Sequence, residues 1–148
     1  MKLTTNLTFD NAIKQYEEKY GYSYYHAQLI ELEIGFEKGL DISVYAHPDF
    51  EHTQMKVIRE GLEKGLDVSL YAHQKFDLFQ MRQIAYGLEN NVDVTIYANP
   101  EFSDDQMEQI RRGLESGIDV SKYAFPHLPS SAMEQKRNQL EYEQSLNM

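Results

Sequence analysis

The chain contains no cysteine, so any chemistry would rest on its five histidines and 24 acidic residues. His47 and His73 are 26 residues apart, but the next two positions at this spacing are Asn99 and Phe125. This series therefore lacks the further ligands that a metal site needs. The remaining histidines show no ligand spacing such as H-E-x-x-H; they are His26, His52 and His127. We interpret the histidines as solvated loop residues and predict no metal and no cofactor.

Acidic residues form two series with the same 26-residue spacing. The first consists of Glu37, Glu63, Glu89 and Glu115, and the second of Asp41, Asp67, Asp93 and Asp119. Paired carboxylates suit acid–base catalysis, but an active site occurs once in a chain whereas these residues recur. The aspartates are better explained as helix N-caps and the glutamates as solvated helix surface. The sequence also lacks an EF-hand loop, a phosphate-binding glycine loop and a nucleophile elbow. We therefore predict that the protein is not an enzyme.

The same period governs most of the chain. The dipeptide Tyr-Ala recurs every 26 residues, beginning at Tyr45, Tyr71, Tyr97 and Tyr123. Upstream of it, Gln-Met recurs at Gln54, Gln80 and Gln106. A fixed period of this length is typical of repeat proteins. It predicts one domain, 1–148, with an N-terminal cap at 1–26, four repeats at 27–126 and a C-terminal capping helix at 127–148.

Each repeat has the pattern of a long helix followed by a short one. In the second repeat, Met55, Ile58 and Leu62 lie on one helical face, and Gly65 follows as a helix terminator. Asn91 replaces that glycine in the third repeat, and asparagine is the next-best residue for a left-handed backbone. The recurring aspartate then predicts a short helix of about one to two turns.

A second glycine recurs inside the long helix, where it destabilises by about 1 kcal/mol relative to alanine. It stands at Gly35, Gly61, Gly87 and Gly113. Its recurrence predicts that another element crosses there too closely for a Cβ. Because one repeat cannot bury its own apolar face, the repeats must stack. The predicted fold is all-α, a short α-helical solenoid of four 26-residue helix-turn-short-helix repeats with N- and C-terminal capping helices.

The two ends depart from the repeat. Phe9, Ile13, Tyr16 and Tyr20 predict a separate amphipathic helix that ends at Gly21 and has Thr8 or Asp10 as its N-cap. At the other end, Met133 and Leu140 keep the repeat register, whereas Lys136 replaces a core isoleucine. This tail is predicted to form a capping helix with a polar outer face. Ser131 and Glu134 form a capping-box pattern at its start.

The net charge of −10 excludes unaided binding to nucleic acid, because phosphates repel such a surface. The first residues, 1–6, lack the apolar run of a signal peptide, and no stretch is long and apolar enough to span a bilayer. We therefore expect a cytoplasmic protein that binds no membrane.

The candidate partner-binding residues lie in the N-terminal junction and the first repeat. Residues 27–52 carry six acidic residues against one lysine, and the acidic candidates are Glu31, Glu33 and Glu37. An acidic face can compete with nucleic acid for a basic groove, although charge that only maintains solubility explains it as well. Tyr22 and Tyr25 belong to a tyrosine-rich segment, which suits either an interface or packing between the N-terminal helix and the first repeat.

The fourth repeat, QMEQIRRGLESGIDVSKYA at residues 106–124, resembles short helical repeats in phage and mobile-element proteins of Gram-positive bacteria. The resemblance covers residues 27–126. It implies a structural or docking array in a phage or mobile-element setting and brings no catalytic motif. By analogy with small acidic proteins of that setting, it suggests an anti-CRISPR-like inhibitor of host defence.

These observations favour a non-enzymatic repeat protein that binds another protein. The specific expectation is an inhibitor that occludes a basic, nucleic-acid-binding surface of a bacterial defence effector. The alternative is a structural or self-associating scaffold module of a mobile element, for which a homo-oligomer is the expected state.

Overall fold

The structure of the protein is a computed structural model that describes residues 8–148; residues 1–7, where the predicted N-terminal cap begins, lie outside the described part. The described residues form six α-helices: α1 (Phe9–Tyr20), α2 (His26–Glu37), α3 (His52–Glu63), α4 (Leu78–Glu89), α5 (Asp104–Ser116) and α6 (Ser130–Leu146). They also form four 3₁₀ helices: Ile42–Val44, Val68–Leu70, Val94–Ile96 and Val120–Lys122. Because these residues contain no strand, the predicted all-α class is confirmed.

The chain divides into two compact units, and Gly65 is the last residue of the first. In the first unit α2 packs on α3, and the ring of Phe9 on α1 lies 5.6 Å from that of Phe36 on α2. In the second unit α5 packs against both α4 and α6. Among the described residues, every helix is too short or too polar to cross a membrane.

The long helices end as the sequence predicts. The terminating glycines have left-handed backbones, with φ of 74° at Gly39, 74° at Gly65 and 80° at Gly117. Asn91, which replaces the glycine in the third repeat, has φ of 60°. Asparagine tolerates this conformation better than most residues with a side chain, so the repeat keeps its turn without a glycine.

The recurring aspartates cap the short helices, as expected. Asp41 Oδ1 accepts a hydrogen bond of 3.2 Å from the backbone N–H of Ser43, and Asp67, Asp93 and Asp119 make the equivalent bond. Each short helix is a single 3₁₀ turn of three residues, which is the lower end of the predicted one to two turns. The recurring tyrosine is the C-cap of each turn.

That tyrosine makes the contact that explains the second glycine. The hydroxyl of Tyr45 donates to the backbone carbonyl of Glu31 at 2.8 Å, and Tyr97 and Tyr123 make the same bond to the residue 14 positions earlier. We call this hydrogen bond the tyrosine lock. A Cβ on Gly35, Gly87 or Gly113 would overlap the locking hydroxyl, so the predicted close approach is confirmed at these three glycines. All three tyrosines are fully buried.

The two ends of the chain are capped differently. Thr8 Oγ1 accepts a bond of 3.2 Å from the N–H of Asn11 at the start of α1, and Gly21, with φ of 65°, ends that helix. At α6, Pro129 takes the N-cap position and no side chain caps the helix. The predicted capping box of Ser131 and Glu134 is therefore wrong, because the N-cap lies two residues earlier, at Pro129, and Ser131 is already inside the helix.

Candidate protein-binding surface

A tyrosine-rich segment joins α1 to α2 in the first unit. Tyr24 is buried, and its hydroxyl donates to the carbonyl of Ala46, so this residue serves packing. The ring of Tyr22 stands edge-on to those of Tyr24 and Tyr25, with centroids 5.8 Å and 6.0 Å away. Tyr25 is 71% exposed. The structure therefore brings the two predicted tyrosines together and leaves one of them open to a partner.

Tyr25 occupies a position at which α4 and α5 carry ordinary capping residues and α3 carries a glutamate. It is the N-cap of α2, whereas Glu51, Asp77 and Ser103 hold the N-cap positions of α3, α4 and α5. Carboxylates and hydroxyls at this position accept bonds from free backbone N–H groups, and tyrosine is not a favoured cap. A residue that breaks a local folding rule and stays exposed is a candidate for function.

A pocket of about 280 Å³ lies beside the two tyrosines. We call it the tyrosine pocket; its lining consists of Tyr22, Tyr25, Gln28, Pro48, Asp49, Phe50, Glu51 and His52. The buried Gln28 amide organises it. Its oxygen accepts from the N–H of Tyr25 at 2.9 Å and from the Tyr22 hydroxyl at 3.4 Å. Its nitrogen donates to the carbonyls of Pro48 and Phe50 at 3.1 Å and 2.9 Å.

The mouth of the tyrosine pocket is acidic. Asp49 and Glu51 are both exposed, and the side chain of Asp49 is 74% exposed. The backbone N–H of Asp49 donates to His47 Nδ1 at 3.0 Å, which fixes the loop that carries the carboxylate. Burial, the neighbouring Tyr25 and the charge of Asp49 raise the pKa of the Tyr22 hydroxyl above its usual value. The hydroxyl therefore stays neutral at physiological pH.

The three predicted acidic residues of α2 do not form one surface. Glu31 accepts a hydrogen bond of 2.8 Å from Arg59 Nε, and its side chain is only 12% exposed. Arg59 also pairs with Glu63, which in turn accepts from Lys38 at 3.0 Å. Glu31 is thus part of an internal ion-pair network.

Glu33 and Glu37 are exposed and lie four residues apart, on one face of α2. Position 31 lies about 200° around the helix from position 33, so Glu31 lies away from this face. The sequence grouped these three glutamates by composition, whereas helix geometry separates them.

Sequence reasoning missed an exposed aromatic pair on α4 in the second unit. Phe79 is 55% exposed and Tyr86 is 44% exposed, and the Arg82 guanidinium lies 5.9 Å from the Phe79 ring. The sequence does distinguish these two residues, because the equivalent positions of α5 carry the charged residues Asp105 and Arg112. Comparing repeats position by position at the 26-residue offset would have identified both residues.

The described residues contain no group of three or more acidic or histidine side chains arranged to hold a metal ion. Asp41 and its three equivalents accept capping bonds, which accounts for that acidic series without catalysis.

No protein-family model, no curated protein and no solved structure matches this chain. Its function must therefore be inferred from its own residues.

Proposed function

We propose that this chain is a non-enzymatic repeat protein of the cytoplasm that binds a basic surface of another protein. The observation that carries the proposal is the exposed Tyr25 beside the carboxylates of Asp49 and Glu51 in the tyrosine pocket. Tyrosine is enriched among the residues that dominate binding energy at interfaces. Carboxylates around such an anchor select a positively charged partner.

The proposed scaffold is a solenoid of four 26-residue repeats between capping helices. Its support is the recurrence of the same contacts in both units. The tyrosine lock occurs in the first repeat and in the last two. The glutamine at the third position of α2, α4 and α5 donates to two loop carbonyls in each case. Identical contacts at one period are what a stacked array requires.

Charge favours a partner surface that ordinarily holds nucleic acid. The chain has a net charge of −10, and residues 27–52 contain six acidic residues and one lysine. A surface of this sign is drawn to the basic grooves that attract phosphates. With the resemblance of the repeats to phage and mobile-element proteins, the specific proposal is an anti-CRISPR-like inhibitor that occludes such a groove on a bacterial defence effector.

The test is an affinity purification from nuclease-treated bacterial lysate at low and high salt, with mass spectrometry as the readout. Wild-type bait should enrich one nucleic-acid-binding protein at low salt and lose it at high salt. The double variant Glu33→Lys/Glu37→Lys should enrich it several-fold less, because it reverses the exposed charge of the first repeat.

The matched control is Glu134→Lys/Glu143→Lys, which makes the same change of four charges on exposed positions of α6. Equal loss in both variants would show that net charge alone governs capture, and would contradict a specific acidic surface. Recovery of the bait alone would favour self-association.

Self-association is the second candidate, and the exposed pair Phe79 and Tyr86 on α4 favours it. The variant Phe79→Asp/Tyr86→Arg substitutes the residues that α5 carries at the same repeat positions, so its helix should still fold. If this face joins copies of the chain, sedimentation velocity should show an oligomer for the wild type and a monomer for the variant. A monomeric wild type would remove this candidate.

A further inference from the structure

We infer that the tyrosine pocket receives one arginine side chain of the partner, an inference that rests on the proposed function and specifies its chemistry. The size of the pocket sets the class of ligand. At about 280 Å³ it falls just below the range of roughly 300–1,000 Å³ that is typical of sites for whole small molecules. A single protruding side chain fits this volume better than a cofactor or a drug-sized ligand.

Two tyrosine rings provide the walls. Tyr22 and Tyr25 stand at 80° to each other with centroids 6.0 Å apart, so the pair forms a corner rather than a flat stack. A cation within about 6 Å of such rings is attracted by their π-electrons. A planar guanidinium can also stack on a ring face, which an ammonium group cannot do.

Two carboxylates supply the charge. Asp49 and Glu51 line the same pocket as the tyrosines. Helices α2 and α3 both begin beside this pocket, and each helix N-terminus contributes about half a positive charge. Two full negative charges exceed these two partial positive ones, so the pocket favours a cation. The forked donors of a guanidinium match carboxylate oxygens better than a single ammonium group does.

The hydrogen-bonding pattern also favours a donor ligand. The Gln28 amide nitrogen donates to the carbonyls of Pro48 and Phe50, so its N–H groups are already engaged. The Tyr22 hydroxyl donates to Gln28 Oε1. Glu51 also caps the start of α3, whereas the exposed Asp49 carboxylate offers its oxygens at the mouth as acceptors, which suits an incoming N–H group.

The tyrosine pair belongs to the first repeat only. The positions equivalent to Tyr22 hold Pro48, Gln74 and Pro100, and those equivalent to Tyr25 hold capping residues. Glu101 is the third-repeat equivalent of Asp49 and lacks the two tyrosines beside it. It therefore provides a matched control for the charge without the aromatic walls.

The experiment titrates the ¹⁵N-labelled full chain with N-acetyl-arginine amide, N-acetyl-lysine amide and inorganic phosphate, and follows amide shifts by NMR. The arginine probe should shift resonances of residues 22–28 and 48–52. Its affinity should fall about fivefold in Tyr25→Ala and in Asp49→Asn, from the loss of one cation–π contact or one charge-assisted hydrogen bond. Glu101→Gln should leave it unchanged. Because Tyr25 and Asp49 are exposed, both variants should keep the wild-type spectrum elsewhere.

Three results would overturn the inference: no shift with the arginine probe, an equal affinity for the lysine probe, or phosphate binding at the same resonances. The proposed function can fail separately. If the Tyr25→Ala bait still enriches the partner from lysate, the partner's arginine does not enter this pocket, and binding to a basic surface then rests on the exposed Glu33 and Glu37 alone. If the arginine probe binds but no basic partner is captured, the proposed function is wrong while the pocket's specificity is established.

Discussion

At the scale of single residues, the tyrosine lock explains a glycine that helix propensity disfavours. Gly35, Gly87 and Gly113 leave room for a hydroxyl that satisfies a backbone carbonyl inside the core. A buried tyrosine needs a partner for its hydroxyl, and the helix surface above a glycine offers one at close range. The buried tyrosine and the glycine beneath its hydroxyl therefore depend on each other.

Substitution of Gly113 by alanine tests this pairing. Alanine favours a helix by about 1 kcal/mol over glycine, so propensity alone predicts stabilisation. Overlap with the Tyr123 hydroxyl instead predicts a net loss of about 1–3 kcal/mol in the free energy of unfolding, measured by urea denaturation. In a Tyr123→Phe background the same substitution should cost less. Equal costs in both backgrounds would show that the hydroxyl is not the obstacle.

At the scale of the helices, the ion-pair network between α2 and α3 shows which charged residues stabilise helix packing and which stay at the surface. Glu31 and Arg59 join the two helices through side chains that are only 12% and 9% exposed. Glu63 accepts from Lys38 and from Arg59, and these bonds lower the pKa of its carboxyl below its usual value. These charges are committed to packing and are poorly placed to meet a partner.

Single charge reversals on α2 should therefore differ in stability. Glu31→Lys places a positive charge against Arg59 and should lower the free energy of unfolding by about 3 kcal/mol. Glu33→Lys and Glu37→Lys change exposed positions and should each shift it by about 0.5 kcal/mol or less. Thermal and urea unfolding followed by circular dichroism would measure the difference. A Glu31→Lys variant as stable as the other two would contradict the structural role of this pair.

At the scale of the whole molecule, the locking tyrosines link stability to alkaline pH. Burial raises the pKa of Tyr45, Tyr97 and Tyr123 above the usual value of about 10. Up to that pH the hydroxyls are protonated in both the folded and the unfolded chain. Above it the unfolded chain loses protons that the folded chain retains, so the free energy of unfolding falls.

Each locking tyrosine contributes a slope of about 1.4 kcal/mol per pH unit, so the three together give about 4 kcal/mol per pH unit above pH 10. Urea unfolding at a series of pH values from about 9 to about 11, which brackets the usual tyrosine pKa, would measure this slope. Tyr97→Phe should reduce the measured slope by about 1.4 kcal/mol per pH unit. A stability that does not change across this range would show that these hydroxyls ionise as readily in the folded chain as in the unfolded one.

Much of this architecture follows from the sequence, because equivalent positions of the repeats can be compared with one another. The aspartate caps, the left-handed Asn91 and the close approach at Gly35 were all predictable, since each is a local backbone requirement. The 3₁₀ form of the short helices was not, because an N-cap aspartate starts a 3₁₀ turn and an α-helical turn alike. The site was predicted in part. Tyr22 and Tyr25 do meet, but the ion pair that covers Glu31 depends on packing between two helices.

The tyrosine lock also bears on how such a chain can change in length. Its donor and its acceptor both lie within one 26-residue repeat, so the first, third and fourth repeats each contain a complete lock of their own. A duplication or deletion of one whole period leaves every lock intact, whereas an insertion of any other length between the two residues breaks one. Whole periods of 26 residues are therefore the increments in which such repeats can be added or removed with donor and acceptor kept together.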